Sequence, residues 1–542
     1  MAKVKTADAI LNCLQANGVD TIFGLPGGQL NDFFDAIYRA GDSIRYFGSR
    51  HEQGAAYMAF GYAKATGKVG VYTVVPGPGV LNTAGAICSA YANSSPVLCV
   101  TGQISSGAIG KGVGELHELP DQLATMRTLT KWAERIDDPS QVNHVMDEAF
   151  RKLTVGRPRP VSVETPHDIM AMTASLPAPK KFESEEASIY DEDLVADAAK
   201  ALAGAKKPLI IVGGGAQHAS EEVLRLAEIC QAPVVSFRNG RGVVSDAHYL
   251  GQNFVAGYEL WKDADVVLGI GSRMQPYLQE WGVDKDLKLI RVDWDPTEIN
   301  RVVRADIGIC GDAKRVVAAL ADAVERKAGR RASREEELAG VKERAAKDIR
   351  LLQPQLSYLD VIRSELPEDG VLVDEVTQVG FASWFGFPVY NPRSLITCGY
   401  QGTLGYGYAT SLGVKAGVGD RPVVALAGDG GFMFTMQELA TAAQYGLAVT
   451  VIVFNNHRFG NVRRHQDEWY EGRRIGSALR NPQFAAMAET FGVRGLKASS
   501  PETLRPVLRS AIASGESCLI EVEVDEMGTP WRYILRDKCR GA

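Results

Sequence analysis

The chain alternates short runs of consecutive apolar residues with longer helix-like stretches, the pattern of buried parallel strands joined by crossover helices. In the first third the strand-like runs are Thr21 to Gly24, Val69 to Val75 and Pro96 to Thr101, each leading into a loop with glycine nearby. A second series begins at Pro208 to Val212, is followed by Gly213, Gly214 and Gly215, and continues through Asp263 to Gly271. In the last third, Pro422 to Gly428 and Ala448 to Phe454 read as two more strands, with Phe434 to Tyr445 as the helix between them. The pattern predicts an α/β protein of three Rossmann-like domains with parallel sheets, over 1–180, 190–326 and 358–542. A Pro-, Lys-, Glu- and Ser-rich stretch from Leu176 to Ser188 is the first linker, and a charged helical segment at 327–357 is the second.

The two strands of the last third each deliver a polar residue at the C-terminal end, where open α/β sheets bind ligands. One ends in Gly428-Asp429-Gly430-Gly431 and the other in Asn455-Asn456. A carboxylate and a carboxamide so placed, Asp429 and Asn456, suit a magnesium ion held against a diphosphate, because magnesium takes oxygen ligands and keeps phosphate oxygens in its shell. The glycines let the backbone approach the phosphates. Either motif alone is an ordinary turn; the signal lies in the pair.

With 542 residues, 45% of them hydrophobic and 23% charged, the chain is expected to be soluble and globular with more than one core. A formal net charge of −6 and the lack of a basic stretch interleaved with aromatics argue against a nucleic-acid partner. The eight cysteines are scattered singly, without a CxxC pair, which fits reduced thiols and a cytoplasmic location and argues against structural zinc. No apolar run is long enough to span a bilayer, so no membrane association is expected.

These motifs resemble, over nearly the whole length, those of the thiamine-diphosphate enzymes of the acetohydroxyacid synthase and 2-oxo acid decarboxylase superfamily. The resemblance implies a pyrimidine-binding first domain, a central domain and a diphosphate-binding third domain, with thiamine diphosphate and Mg2+ held by Asp429, Asn456 and the carbonyl of Arg458. In Arg50-His51-Glu52-Gln53-Gly54 it makes Glu52 the acid that hydrogen-bonds the pyrimidine ring nitrogen and favours the imino tautomer. Within Gly402 to Gly407, Leu404 would be the wedge beneath the bond joining the two rings, and the Gly402 carbonyl would accept from the pyrimidine amino group. Pro78 and Asn82, in Gly77 to Asn82, match the family's cofactor-proximal loop of the first domain, and Phe23 to Gly28 resembles the loop that faces the reactive C2 atom. A small residue at Gly28 leaves room for a second substrate and weakly favours ligation. The family also implies a homodimer or homotetramer with active sites between subunits and a small 2-oxo acid substrate.

The chain departs from the synthases at three places. Leu116-His117-Glu118 stands where they carry Phe-Gln-Glu, which makes His117 a candidate proton relay, with a bland loop histidine as the equal alternative. His465 stands where the synthases carry a tryptophan that shapes the acceptor pocket; with Arg463 and Arg464 it makes this side more basic, a candidate set for holding an anionic substrate, or a surface charge cluster. Arg273-Met274-Gln275-Pro276 replaces the Arg-Phe-Asp-Asp of flavin-binding relatives, so FAD is allowed but not expected. The implied activity is decarboxylation of a 2-oxo acid followed by carbon–carbon bond formation with a carbonyl acceptor, as in acetolactate synthesis. The alternatives are a non-ligating decarboxylase, a flavin-dependent 2-oxo acid oxidase and a catalytically silent subunit.

Overall fold

The computed structural model describes residues 2–183 and 190–541. It contains three six-stranded sheets, parallel throughout, and the fold class is the α/β arrangement of three parallel sheets that the sequence pattern predicts. The first sheet comprises Thr21–Gly24, Arg45–Gly48, Gly70–Val74, Val97–Gln103, Trp132–Arg135 and Val161–Pro166. Numbered along the chain, these strands lie in the order 2-1-3-4-6-5. The third sheet, from Val371–Val373 through Leu395–Ile396, Val423–Gly428, Val449–Asn455 and Arg494–Ala498 to Cys518–Glu523, repeats that order. The central sheet, which opens with Pro208–Val212 and closes with Ile307–Cys310, has the order 3-2-1-4-5-6 of dinucleotide-binding folds.

Each order contains one place where consecutive connections leave in opposite directions, and a crevice opens there at the C-terminal ends of the strands. In the outer sheets it lies between strands 1 and 3, and in the central sheet between strands 1 and 4.

Differences from the sequence pattern are local. A two-stranded antiparallel ribbon, Ala2–Lys5 against Thr173–Leu176, ties the start of the first domain to its end, so Leu176 belongs to a strand and not to a linker. The rest of the expected linker runs into residues 184–188, which lie outside the described residues. The crossover helix expected from Phe434 begins at Leu439, because Asp429–Phe432 and Met436–Glu438 form separate short turns. The charged connector contains the helix Glu335–Ile349.

The first and third domains share one core. Its axis is a pair of helices, Glu52–Thr66 and Tyr406–Val418, buried almost all round. Close approach depends on two glycines: a Cβ on Gly61 would overlap the Thr410 carbonyl, and one on Gly413 the Met58 carbonyl. After the last strand the chain crosses back to the central domain. Trp531 packs on Phe381 and Tyr533 on Phe385. Arg540, 8% exposed, donates to the carbonyls of Trp261 and Ala264 and pairs with Asp284 at 2.9 Å.

Candidate active site

The crevice of the first sheet gathers loops 24–29 and 75–82. Gly28 is exposed, and a Cβ there would meet nothing within 4 Å, so the position faces open space. Its neighbour Gln29 is buried and holds His117 in place: Nε2 donates to the Leu116 carbonyl at 2.9 Å, and Oε1 lies 2.9 Å from His117 Nδ1. With the amide NH2 committed to a carbonyl, Oε1 accepts, so Nδ1 carries the proton and Nε2 of the neutral ring is left as an acceptor. His117 sits at φ 71°, a strained backbone position for a non-glycine residue. Glu118 uses its carboxylate on the N–H groups of Gly114 and Glu115 and braces the loop.

Glu52 is the first residue of the helix Glu52–Thr66, and its side chain is 14% exposed. Asn82, the last residue of the helical turn Pro78–Asn82, donates from Nδ2 to Glu52 Oε2 at 3.0 Å. Oε1 takes no hydrogen bond from the described residues and stays open to a ligand. The His117 backbone lies against Gly77, so the loop of His117 and the Pro78 turn form one wall. The structure therefore brings Glu52, Asn82, Pro78 and His117 to one crevice.

In the third domain Asp429, 3% exposed, accepts at Oδ2 from Asn481 Nδ2 (2.7 Å) and from Arg458 N (3.2 Å). Burial pushes its carboxyl up. Asn455 is structural: it donates to Glu521 at 3.1 Å and accepts from Asn481 at 2.9 Å. Asn456 is half-buried, and its carbonyl accepts from Arg458 Nε at 2.8 Å. The Asp429 carboxylate and the Asn456 carboxamide stand just past the ends of adjacent strands, and hard oxygen donors of this kind suit magnesium.

Strand 1 of the third sheet contributes residues that sequence reading missed. Glu375 accepts from Gly405 N (2.8 Å) and Gly407 N (3.2 Å) and so pins the loop that carries Gly402 and Leu404. Its carboxyl is pushed up to about 8 by burial. Asp374, bonded to Trp384 and Tyr406, is likewise raised by burial. Thr377 caps the helix Gln378–Gly386 and packs beside Gly428. The strand is only three residues long and has no glycine after it, so only the position of the crevice could have revealed it.

Arg464 and His465 lie on the helix Gly460–Trp469. Arg464 bonds Glu468 (3.2 Å) and Asn461 (3.3 Å), and one of its nitrogens is 3.1 Å from His465 Nε2. The His465 ring stacks on Trp469 at 4.0 Å. Trp531 also reaches this helix, donating to Asn461 at 3.0 Å. Among the described residues, no hydrogen bond or ion pair joins the Glu52 cluster to the Asp429 cluster.

The central crevice opens into a cavity of about 720 Å³ at the junction of all three domains. Its walls include Gly213 to Gly215, the carboxylates Asp293 and Asp312, and the cations Lys64, Arg238 and Arg393. Burial, with help from Arg393, pushes the Lys64 ammonium down to about 7.

Crevices on two sheets of the same strand order, one with a carboxylate oxygen open to a ligand and one with a buried carboxylate beside a carboxamide, suit a thiamine pyrophosphate enzyme. The chain belongs to that family: the thiamine pyrophosphate enzyme N-terminal TPP binding domain matches residues 4–125, the central domain 195–320 and the C-terminal TPP binding domain 375–522. Within the family it is of the acetolactate synthase kind. It is 32% identical to a probable acetolactate synthase large subunit of Methanocaldococcus jannaschii, covering 96% of this chain and 92% of that protein. It is 33% identical to the acetolactate synthase large subunit of Lactococcus lactis, covering 95% and 92%. A probable 2-ketoarginine decarboxylase of Pseudomonas aeruginosa is also 33% identical, covering 96% and 94%.

Proposed function

We propose that this thiamine-dependent enzyme is a magnesium-requiring carboligase that decarboxylates a 2-oxo acid and joins the remaining fragment to a carbonyl acceptor. The observation that carries the reading is the open space at Gly28 beside a fixed His117, because ligation needs room for a second substrate where simple protonation does not. Bound thiamine diphosphate would supply the electron sink for decarboxylation. Asp429, Asn456 and the Arg458 carbonyl would hold magnesium, and the glycines at 428, 430 and 431 admit the diphosphate. Glu52 offers Oε1 to the pyrimidine nitrogen while Asn82 fixes Oε2. Leu404 and the Gly402 carbonyl, on the loop pinned by Glu375, would meet the rings from the third domain.

The two clusters belong to one site only if a second copy of the chain completes it. Apolar side chains exposed around the crevices support that homodimer, Leu81 and Leu116 in the first domain and Phe434 in the third. The central cavity fits the diphosphate and ribose of a nucleotide, with cations for the first and Asp293 and Asp312 for the second. A flavin there would add redox chemistry that this reaction does not need. Eight unpaired cysteines fit a reducing, cytoplasmic setting.

A second reading, release of an aldehyde, is favoured by His117 as a proton donor when its ring is charged. NMR analysis of products from pyruvate, thiamine diphosphate and magnesium separates the two. Acetolactate supports the carboligase; acetaldehyde alone supports the decarboxylase.

A further inference from the structure

The segment that carries Glu52 is laid down on the third domain of its own chain. Gly48 N donates to Tyr445 Oη at 2.8 Å, and the Arg50 guanidinium bonds the Gln444 side chain. The central contact is Glu438. It is fully buried and accepts from Arg50 N and His51 N, each at 3.1 Å, and from the Thr441 hydroxyl at 2.6 Å. Its carboxylate thus meets the backbone donors immediately before the helix, where aligned peptide dipoles favour negative charge. His51, the cap residue, covers only Gln53 N.

Gly54 completes the fit, since a Cβ there would overlap the Glu438 carboxylate. The segment Arg50 to Gly54 is therefore read at two places by one side chain, through N–H groups at its start and a missing side chain one turn on. Glu438 lies 388 positions from Arg50, in a short turn just before the helix Leu439–Tyr445.

We propose that Glu438 is the positioning residue for Glu52: it sets the entry and first turn of the helix, and so the direction in which the Glu52 carboxyl is offered. The proposal rests on Glu52 being the acid that addresses the pyrimidine. In a dimer whose sites take Glu52 from one chain and Asp429 from the other, each chain's diphosphate domain then aims the acid used on the cofactor held by its partner.

Four variants at positions 54 and 438 and three measurements test this, with Glu52→Gln as the control. Removing the carboxylate in Glu438→Ala, or displacing it in Gly54→Ala, shifts Glu52 by a fraction of a helical turn. Misplacement on the order of 1 Å costs about 100-fold. With thiamine diphosphate and magnesium bound and no substrate, exchange of the cofactor C2 proton into deuterium oxide should slow about 100-fold in each, with cofactor affinity within about threefold of the parent. Adding Gly54→Ala to Glu438→Ala should cost nothing more, because the group that Cβ overlaps is gone. Glu438→Gln, which keeps an acceptor oxygen, should recover most of the rate. In the cofactor-free protein, amide exchange at residues 50–53 should accelerate in Glu438→Ala and not in Glu438→Gln. Parental C2 exchange in Gly54→Ala, or an undiminished Gly54→Ala penalty in the Glu438→Ala background, overturns the proposal. If Glu438→Ala does not fold, Gly54→Ala decides alone. Glu52→Gln in the same assay separates the two levels: if it exchanges at the parental rate, the acid assignment fails first; if it is slow while Gly54→Ala is fast, only the positioning role fails.

Discussion

In the first domain the crevice between strands 1 and 3 offers one half-buried carboxylate, Glu52, with an oxygen open to a ligand. In the third domain the equivalent crevice buries three, Asp374, Glu375 and Asp429, all at most 3% exposed. The strand order is the same in both. What differs is the surroundings: burial raises all three carboxyls of the third domain, and each is matched to N–H, O–H or carboxamide donors. The same strand order fixes two places, and under the proposed function their side-chain surroundings would make one a proton partner and the other a cation and loop anchor.

Four experiments press on this contrast. The largest effect should come from Glu52→Gln, which removes the proton partner and leaves the anchor. Turnover should fall about 1,000-fold, within the range for general acid–base groups, with thiamine diphosphate affinity kept. Steady-state kinetics beside calorimetry would show it, and unaltered turnover would erase the distinction between the domains. Asp429→Ala should do the reverse and weaken magnesium-dependent cofactor binding by roughly 100-fold, given that even outer partners of metal ligands cost 10–100-fold. A titration with and without magnesium reads this directly.

Gly413→Ala acts where the domains meet. It should lower stability by about 1–3 kcal/mol through overpacking against the Met58 carbonyl, seen as an earlier urea midpoint. The smallest effect is a slope. Because Glu375 is raised to about 8 in the folded state, the folded chain binds a proton that the unfolded chain has released once pH passes the usual carboxylate range. Its contribution is therefore complete at low pH and is lost as pH rises toward 8, by at most about 1.4 kcal/mol per pH unit. Glu375→Gln should flatten that slope; an identical pH dependence in the variant would show that the group does not titrate there.

The fold class was legible because parallel strands buried on both faces are apolar runs, and glycine marks their ends. Asp429 and Asn456 were legible for the same reason, each standing at the end of a strand. The residues that hold the site's side chains and loops in place were not. Gln29 reaches His117 across 88 positions, Asn481 reaches Asp429 across 52, and Glu438 reaches Arg50 across 388. Contacts at such separations leave no local spacing to read. Gly54 did leave a mark, a glycine in the first turn of a helix at a position that no positive φ requires. The expected linker failed at Leu176 because a strand partner 174 positions earlier, Ala2, is invisible to composition.

The buried Arg540 bears on how the chain is made. Chains leave the ribosome from the N-terminus at about 5–20 residues per second, and domains ordinarily fold as they emerge. The carbonyls of Trp261 and Ala264 have their Arg540 donor only after some 280 further residues, 279 for the first, have been synthesised. For this stretch of synthesis these two carbonyls lack that donor, and nascent-chain complexes stalled before residue 540 should be cut by protease near 261–284, whereas the released chain resists.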